Sequence, residues 1–437
     1  MQGRGGPAAS DSRPVPRRMP CLQCIMSRKL NIVWGAVMGM PERMRIVFSY
    51  VKTSLIVLLI TASMLAALEM LLSVHAINKT FSPDERLNKH ANADCYTDKA
   101  AAKAYYREFD RSNQMRWEAY TYWRRKAFKG SFINVDERGI RSTYNAAHGQ
   151  RREAKVFVFG GSTAWGTGAR DEYTIPSFVS KLLDRDGYAV SVTNFGESGY
   201  VSSQEMIALL KELQGGNVPD VAIFYDGVND SFSSYQNKRA GIPQNEEKRR
   251  RYFTLERDLE GSGKGFLLRA LIENSKIMQL ARYIGGRRHK AKNPYMDDDA
   301  MSRLSAGVAD VYRQNMRMVS ALGDAYGFKA LFYWQPVIFT KRDLSPYEKT
   351  QATQSDDEGA QRRYFNDYRQ LYAMTSQVLR DRAASGSASF HDISDILDDR
   401  KGPLYLDFCH TCEAANEIIA ARITSDVEGI LKSRKPD

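Results

Sequence analysis

The sequence predicts a three-layer α/β/α fold, a parallel sheet with helices on both faces, carried behind one N-terminal transmembrane helix. Three observations lead to this. From Lys155 onward, short apolar runs of strand length alternate with amphipathic runs of helix length, the pattern of parallel βα units. The apolar runs end in Gly, Asn, Asp and Ser, where such a sheet delivers its reactive groups to one edge. Upstream, Leu55 to Val74 is apolar throughout except for Glu69, and is long enough to cross a bilayer as a helix.

The elements follow in order. "KVFVFG" reads as a buried strand and "YTIPSFVSKLLDRDG" as a helix stopped at Gly187. "AVSVTNFG" is a second strand, and "SSQEMIALLKELQGG" is a helix with a glycine stop. "DVAIFYDG" is a third strand. A long amphipathic helix spans residues 300–327, then come strand "KALFYWQPV", helix "QRRYFNDYRQLYAMTSQVLRDRAA" and a short strand near "ASFHDIS". The last helix begins near Cys412 and runs to about Leu431. Between 231 and 295 the alternation breaks. Basic stretches "EEKRRRYF" and "GGRRHKAKNPY" flank an amphipathic run, which reads as an inserted lid or as a solvated charged loop.

The chain of 437 residues, 43% of them hydrophobic, accommodates one large core with additions. Its net charge of +12 points to anionic company, a membrane surface or an acidic polymer. Neither zinc-finger spacing nor an RNP-like aromatic motif is present, so nucleic acid is not expected as a partner. Residues 1–54 form a basic leader expected to stay in the cytoplasm. Residues 55–74 then anchor the chain by a single pass in the cell inner membrane, and the main domain faces the periplasmic, extracytoplasmic side. A cleaved signal peptide ending near Val74-His75-Ala76 is the competing reading, and the long leader opposes it. A start at Met38, Met40 or Met44 would shorten that leader to a basic head. Residues 77–150 read as an aromatic-rich cap or connector, and residues 155–432 as the main domain.

Cys21 and Cys24 form a CxxC without a second pair, and no His/Cys/Asp spacing demands a metal, so neither a metal nor a cofactor is expected. Cys95, Cys409 and Cys412 would lie outside the cytoplasm. Their odd number leaves at least one thiol free or paired with another chain, and Cys409 and Cys412 either close a small loop or sit as buried thiols.

The stretch "VFVFGGSTAWGTG" poses the chemical question: a strand runs into two glycines and a lone hydroxyl, Ser162. A phosphate cradle of the GxxxxGK[ST] type fails, because Thr167 stands where the lysine belongs. GxGxxG fails, since Asp171 takes the last glycine's place, and the GxSxG elbow fails at Ala164. A nucleophile needs a base, an orienting acid and donors for an oxyanion. Other strand ends offer these as "NFGESGY", "DGVND" and "YLDFCHTCEAANEIIAARI". His410, Asp407, Asn229 and the backbone at Gly199 would complete a site around Ser162. Taken singly, Ser162 serves equally as a helix cap and Asn229 as a turn residue. His391 beside Asp392 imitates a base–acid pair, and His75, His90, His148 and His289 read as surface residues.

These four blocks together resemble the SGNH (GDSL-like) hydrolases, over about Lys155 to Leu431. The serine block reads "GGST", with Gly161 where the family usually has Asp; the block-two glycine matches Gly199, the GxND block matches Gly227 to Asp230, and the DxxH block matches Asp407 to His410. The resemblance implies the flavodoxin-like sheet of that family. It also implies a Ser162–His410–Asp407 triad and an oxyanion hole from the backbone N–H of Ser162 and Gly199 and the side chain of Asn229. The function it implies is a membrane-anchored serine esterase removing acyl groups, O-acetyl above all, from an envelope or secreted polysaccharide. An acyltransferase on polysaccharide, a lipase or lysophospholipase acting on a lipid ester, and a non-catalytic scaffold of a polysaccharide assembly are the alternatives.

Overall fold

The computed structural model describes residues 41–80, 90–147, 153–261, 275–278, 280, 296–353, 360–383 and 389–433. Most of the expected leader, Cys21, Cys24, His148, His289 and most of the expected lid beyond residue 261 lie outside the described residues. The chain forms two compact units, one comprising residues 1–79 with 274–282 and the other comprising the rest.

In the first unit, helix α1 (Glu42–Thr80) contains the one candidate membrane span among the described residues, Glu42–Val74. Large apolar side chains stand exposed along its length, Leu58 at 64% and Leu59 at 67% among them. By length and composition it is a candidate membrane span or signal sequence. Its lone charge within the apolar run, Glu69, is not bare. The carboxylate accepts hydrogen bonds from Ser275 Oγ (2.8 Å) and from the backbone N–H groups of Lys276 and Ile277.

The second unit opens with helix α2 (Lys99–Ser112), capped by Asp98. Two short antiparallel hairpins follow, β1 (Met115–Glu118) with β2 (Tyr122–Arg125), and β3 (Phe128–Lys129) with β4 (Asn134–Val135). The core then runs β5 (Ala154–Gly160), α3 (Ser162–Trp165), α4 (Ile175–Arg185), β6 (Val190–Asn194), α5 (Ser202–Gln214), β7 (Val221–Asp226), α6 (Val228–Asn237) and α7 (Glu246–Gly261). It continues with α8 (Asp298–Tyr326), β8 (Lys329–Trp334), α9 (Pro346–Ala352), α10 (Ala360–Ala383), β9 (Phe390–Asp392) and α11 (Glu413–Ser433). The expected lid thus begins later than residue 231. Ser231 to Asn237 continue a helix whose Ser231 and Tyr235 are buried, so the break follows Asn237.

The five core strands pair in the order β6-β5-β7-β8-β9, all parallel. Alternate residues face opposite layers, as strand geometry requires. Val156, Val158, Ile223, Tyr225, Leu331 and Tyr333 pack toward α4 and α11. On the other face Phe159 stacks on Phe195 (5.1 Å between ring centroids) and on Phe224 (4.9 Å), and Phe224 on Phe332 (5.2 Å). This row crosses the sheet and carries α5, α8 and α10. Chain order reverses at β5, so the crevice beyond the ends of β5, β6 and β7 is the switch point where such sheets hold ligands.

Phe224 sits mid-row and is 2% exposed. Phe224→Ala should cost about 3–5 kcal/mol of stability, read from the urea midpoint of the protein in detergent. A loss below 1 kcal/mol would show that the row is not what joins the layers.

Candidate active site

The site starts with a geometric demand. β5 ends at Gly160, Gly161 turns the chain, and Ser162 opens a helix of only four residues that stops at Gly166 in left-handed conformation. A helix so short leaves most of its carbonyls without intrahelical partners. Side chains supply them. Asn194, at the end of β6, donates to the carbonyls of Ala164 (3.2 Å) and Trp165 (3.3 Å). Arg141 donates to those of Trp165 (3.0 Å), Gly166 (2.7 Å) and Ala169 (2.6 Å), and pairs with Asp171 at 2.9 Å. The guanidinium groups of Arg141 and Arg125 lie 4.1 and 3.7 Å from the Trp165 ring centroid, within cation–π range. Arg125 is fully buried, with Glu197 as its counter-ion and Ser198 Oγ accepting from it at 2.8 Å. Burial lowers the Arg125 pKa to about 10 against the opposing pull of Glu197, so the group stays charged at neutral pH.

Opposite Ser162, the loop before α11 carries Asp407 and His410. Glu348 accepts from the N–H groups of Leu404 (2.8 Å) and Tyr405 (3.0 Å) and is itself paired with buried Lys341 at 2.6 Å, which fixes this loop from below. Asp407 Oδ1 accepts from the N–H groups of Cys409 (2.9 Å) and His410 (2.8 Å), and its Oδ2 lies 2.6 Å from His410 Nδ1. Ser162 Oγ lies 2.7 Å from His410 Nε2. A carboxylate only accepts, so Nδ1 carries the proton and Nε2 is left to accept from the serine hydroxyl. Burial favours the neutral acid at Asp407, but the imidazole charge and these hydrogen bonds prevail and hold its pKa well below the usual range. At His410 burial opposes the charged form, and the Asp407 carboxylate outweighs it and raises the pKa.

The donors expected for an oxyanion converge on the same end of the sheet. A Cβ at Gly161 would stand 2.0 Å from Asn229 Nδ2, so the Asn229 amide lies against the residue before Ser162. Gly199 has φ +78°, and a Cβ there would meet Gln244 Nε2 at 2.1 Å. Asp230 ties these two loops together, because its Oδ1 accepts from Ser202 Oγ (2.6 Å) at the start of α5. Burial raises the Asp230 pKa to about 6 against those bonds.

A cavity of about 350 Å³ opens over Ser162 and His410. Its walls include Tyr106, Phe109, Asp110 and Asn113 from the N-terminal segment, with Arg125 and Ser198. His90 also lines it, half-buried and stacked on Tyr106 at 5.5 Å between centroids; it is not the surface residue its sequence context suggested. A larger concavity of about 700 Å³, lined by Lys129, Asp136, Glu137 and Arg141, contains neither Ser162 nor His410. His391 sits on β9 over Tyr333, 3.7 Å from Asp426, and has no bond to Ser162. Cys95, Cys409 and Cys412 are free thiols. Cys409 and Cys412 face different groups, His410 Nδ1 at 3.7 Å and the Pro403 carbonyl at 3.6 Å. Donor atoms of Asp407, Cys409 and His410 lie within 4.8 Å of one another, but a metal there would have to displace Asp407 or Ser162 from the imidazole.

No family model and no curated protein matches the chain. Among solved structures it is similar to an acetyl xylan esterase, at 16% identity over 62% of this chain and 99% of that chain with a TM-score of 0.33. It is similar to a carbohydrate acetylesterase from Sinorhizobium meliloti, at 14% identity over 64% of this chain and 100% of that chain with a TM-score of 0.32. It is also similar to a lipase/acylhydrolase from Enterococcus faecalis, at 14% identity over 65% of this chain and 100% of that chain with a TM-score of 0.35.

The raised His410 pKa has a definite sign. Protonation is favoured in the folded state, so the imidazole should titrate above the model-peptide value of about 6.5. Asp407→Asn removes the favourable charge and keeps the burial, which should move the midpoint below that of wild type. The His410 ring-proton resonance followed by NMR against pH checks both. An unmoved midpoint in Asp407→Asn would mean the carboxylate does not govern the imidazole.

Proposed function

We propose that this protein is a membrane-anchored serine esterase that removes acyl groups, in the first place O-acetyl, from polysaccharide. The supporting observation is the unbroken hydrogen-bonded chain Ser162–His410–Asp407 at the switch point of the sheet. Ser162 Oγ attacks the ester carbonyl while His410 Nε2 takes its proton. The tetrahedral oxyanion is received by the N–H groups of Ser162 and Gly199 and by the Asn229 amide. His410 then returns the proton to the leaving sugar oxygen, and the acyl group stays on Ser162. Water, deprotonated by His410, releases it as the carboxylate. Asp407 stays ionised throughout and stabilises the imidazolium.

The polysaccharide reading rests on the cavity walls. Phe109 and His90 offer ring surface to a sugar, and Asp110 and Asn113 offer acceptors and donors to its hydroxyls. The apolar α1 supports the anchor, and the basic residues of the leader support an extracytoplasmic main domain. Deleting residues 1–76 should then release the protein from the membrane fraction on ultracentrifugation, and continued sedimentation would overturn the anchor.

Labelling by a fluorophosphonate probe tests the chemistry. Full-length protein in detergent should label, and Ser162→Ala should not, with an unchanged melting temperature. Asp407→Asn should lower kcat on a small acetyl ester by about 10⁴-fold, and Asn229→Ala by about 10²–10³-fold. Because His410 acts as the neutral base, kcat/KM should fall on the acid side with a midpoint above about 6.5. Labelling retained in Ser162→Ala would refute the nucleophile. Acetate release from acetylated polysaccharide separates hydrolysis from transfer to another hydroxyl.

A further inference from the structure

The hairpin β1–β2 is not part of the α/β/α layers, yet it ends beside the reacting serine. Its aromatic residues form a continuous row. Trp117 lies 5.6 Å from Tyr122 between ring centroids, Tyr122 lies 6.4 Å from Trp123, and Trp123 lies 5.6 Å from Tyr200. The inner end is anchored. Trp123 Nε1 donates to the Ser198 carbonyl at 2.8 Å, and Tyr200 Oη donates to the Trp123 carbonyl. Ser198 lines the cavity over Ser162, and Trp123 also stands against Gly199. The outer end is open, with Trp117 69% and Tyr120 77% exposed.

Two features say that this is more than a solvated turn. Tyr120 and Tyr122 have φ of +67° and +74°, a conformation that residues with bulky side chains rarely adopt. The tip therefore holds Tyr120 outward at a conformational cost. The row also has a polar border. Arg249 lies over Tyr122 and Trp123 at 4.5 and 5.1 Å, Tyr122 Oη donates to Glu246, and Glu118 pairs with Arg116 and Lys211. A second cavity of about 350 Å³, lined by Arg116, Glu118, Thr121, Arg124 and Tyr200 among others, flanks it. Flat rings bordered by charged hydrogen-bonding groups match the apolar faces and hydroxyl edges of a chain of sugar rings.

We propose that the β1–β2 hairpin is a glycan-binding platform, on which Trp117, Tyr120 and Tyr122 stack successive sugar rings of a polysaccharide and feed it toward Ser162. This deepens the esterase reading and rests on it for the direction of feeding, whereas binding to the platform can be read without turnover.

The test uses full-length protein in detergent and the double variant Trp117→Ala/Tyr120→Ala. O-acetylated xylan, glucomannan and alginate are the polymer probes, and p-nitrophenyl acetate is a small ester too short to reach the hairpin. With whichever polymer is turned over, the double variant should lose roughly tenfold in kcat/KM, chiefly through KM. Its turnover of the small ester should match wild type, and Trp117→Phe/Tyr120→Phe should restore polymer turnover. In affinity electrophoresis, Ser162→Ala should be retarded by the same polymer, and Ser162→Ala with the double variant should not. Equal loss on both substrates would assign the hairpin a structural role, and no loss on either would make it dispensable; each overturns the platform. Absence of retardation of Ser162→Ala by all three polymers would also overturn it, as would loss of binding to phosphatidylglycerol vesicles in place of polymer. If wild type fails to turn over the small ester while retardation depends on Trp117 and Tyr120, the esterase reading fails and the platform stands.

Discussion

Everything at the active end hangs on the carbonyl groups of a helix one turn long. Ser162 must emerge abruptly from β5 to stand clear of the sheet, and a longer straight helix would give up the sharp turn at Gly166. The open carbonyls of Ala164 and Trp165 are the consequence, and Asn194 and Arg141 answer them, Arg141 also joining the Ala169 N–H on the Gly166 carbonyl. Arg141 lies upstream of the first core strand. The segment before the sheet is therefore no loose tether. It completes the hydrogen bonding of the turn that carries Ser162, and its β-bridge from Arg141 to Asn194 extends the sheet edge at the same point.

Placing two guanidinium groups over one buried tryptophan would be costly without counter-charges. Asp171 answers Arg141 and Glu197 answers Arg125. Breaking either pair would leave a buried charge unpaired, which is far worse than never having built it. Rigidity follows from this: the turn cannot relax without exposing an unpaired charge. Such fixed geometry suits a hydroxyl that must meet an imidazole at hydrogen-bond distance and a developing oxyanion at once.

The strands were legible because "KVFVFG" and "DVAIFYDG" are apolar on both faces, as only a covered parallel sheet requires. The strand-end groups Ser162, Gly199 and Asn229 were legible because a parallel sheet gathers its carboxyl ends at one edge, whereas Asp407 and His410 lie on the loop before α11, beyond the last strand, and were legible through the DxxH spacing of the family resemblance. Arg125 and Arg141 were not, since a charged residue in an aromatic-rich polar segment reads as solvated until its counter-ion is known. Glu197 stood in the quoted "NFGESGY", and a carboxylate between two glycines at a strand end was the available signal for a buried cation nearby. His90 escaped because its own context of Asn88, Lys89 and Asn92 is polar, and its ring partner Tyr106 lies on a separate helix, α2. The start of the irregular stretch was misplaced because Ser231 to Asn237 are polar residues on a helix packed against α8 and α10, where buried serines mimic a loop composition.

Asp407 and His410 are three residues apart, whereas Ser162 and His410 are separated by 248. Asp407 and His410 are thus neighbours on one turn, and Ser162 belongs to a distant part of the chain. During synthesis from the N-terminus, Ser162 is made and its clamp of Arg125, Arg141 and Asn194 can close while His410 does not yet exist. For that interval the Ser162 hydroxyl has no imidazole partner. The Ser162–His410–Asp407 chain of hydrogen bonds is complete only when the final loop and α11 join the sheet, so under the proposed mechanism a truncated or stalled chain would be chemically silent however well its first strands have folded.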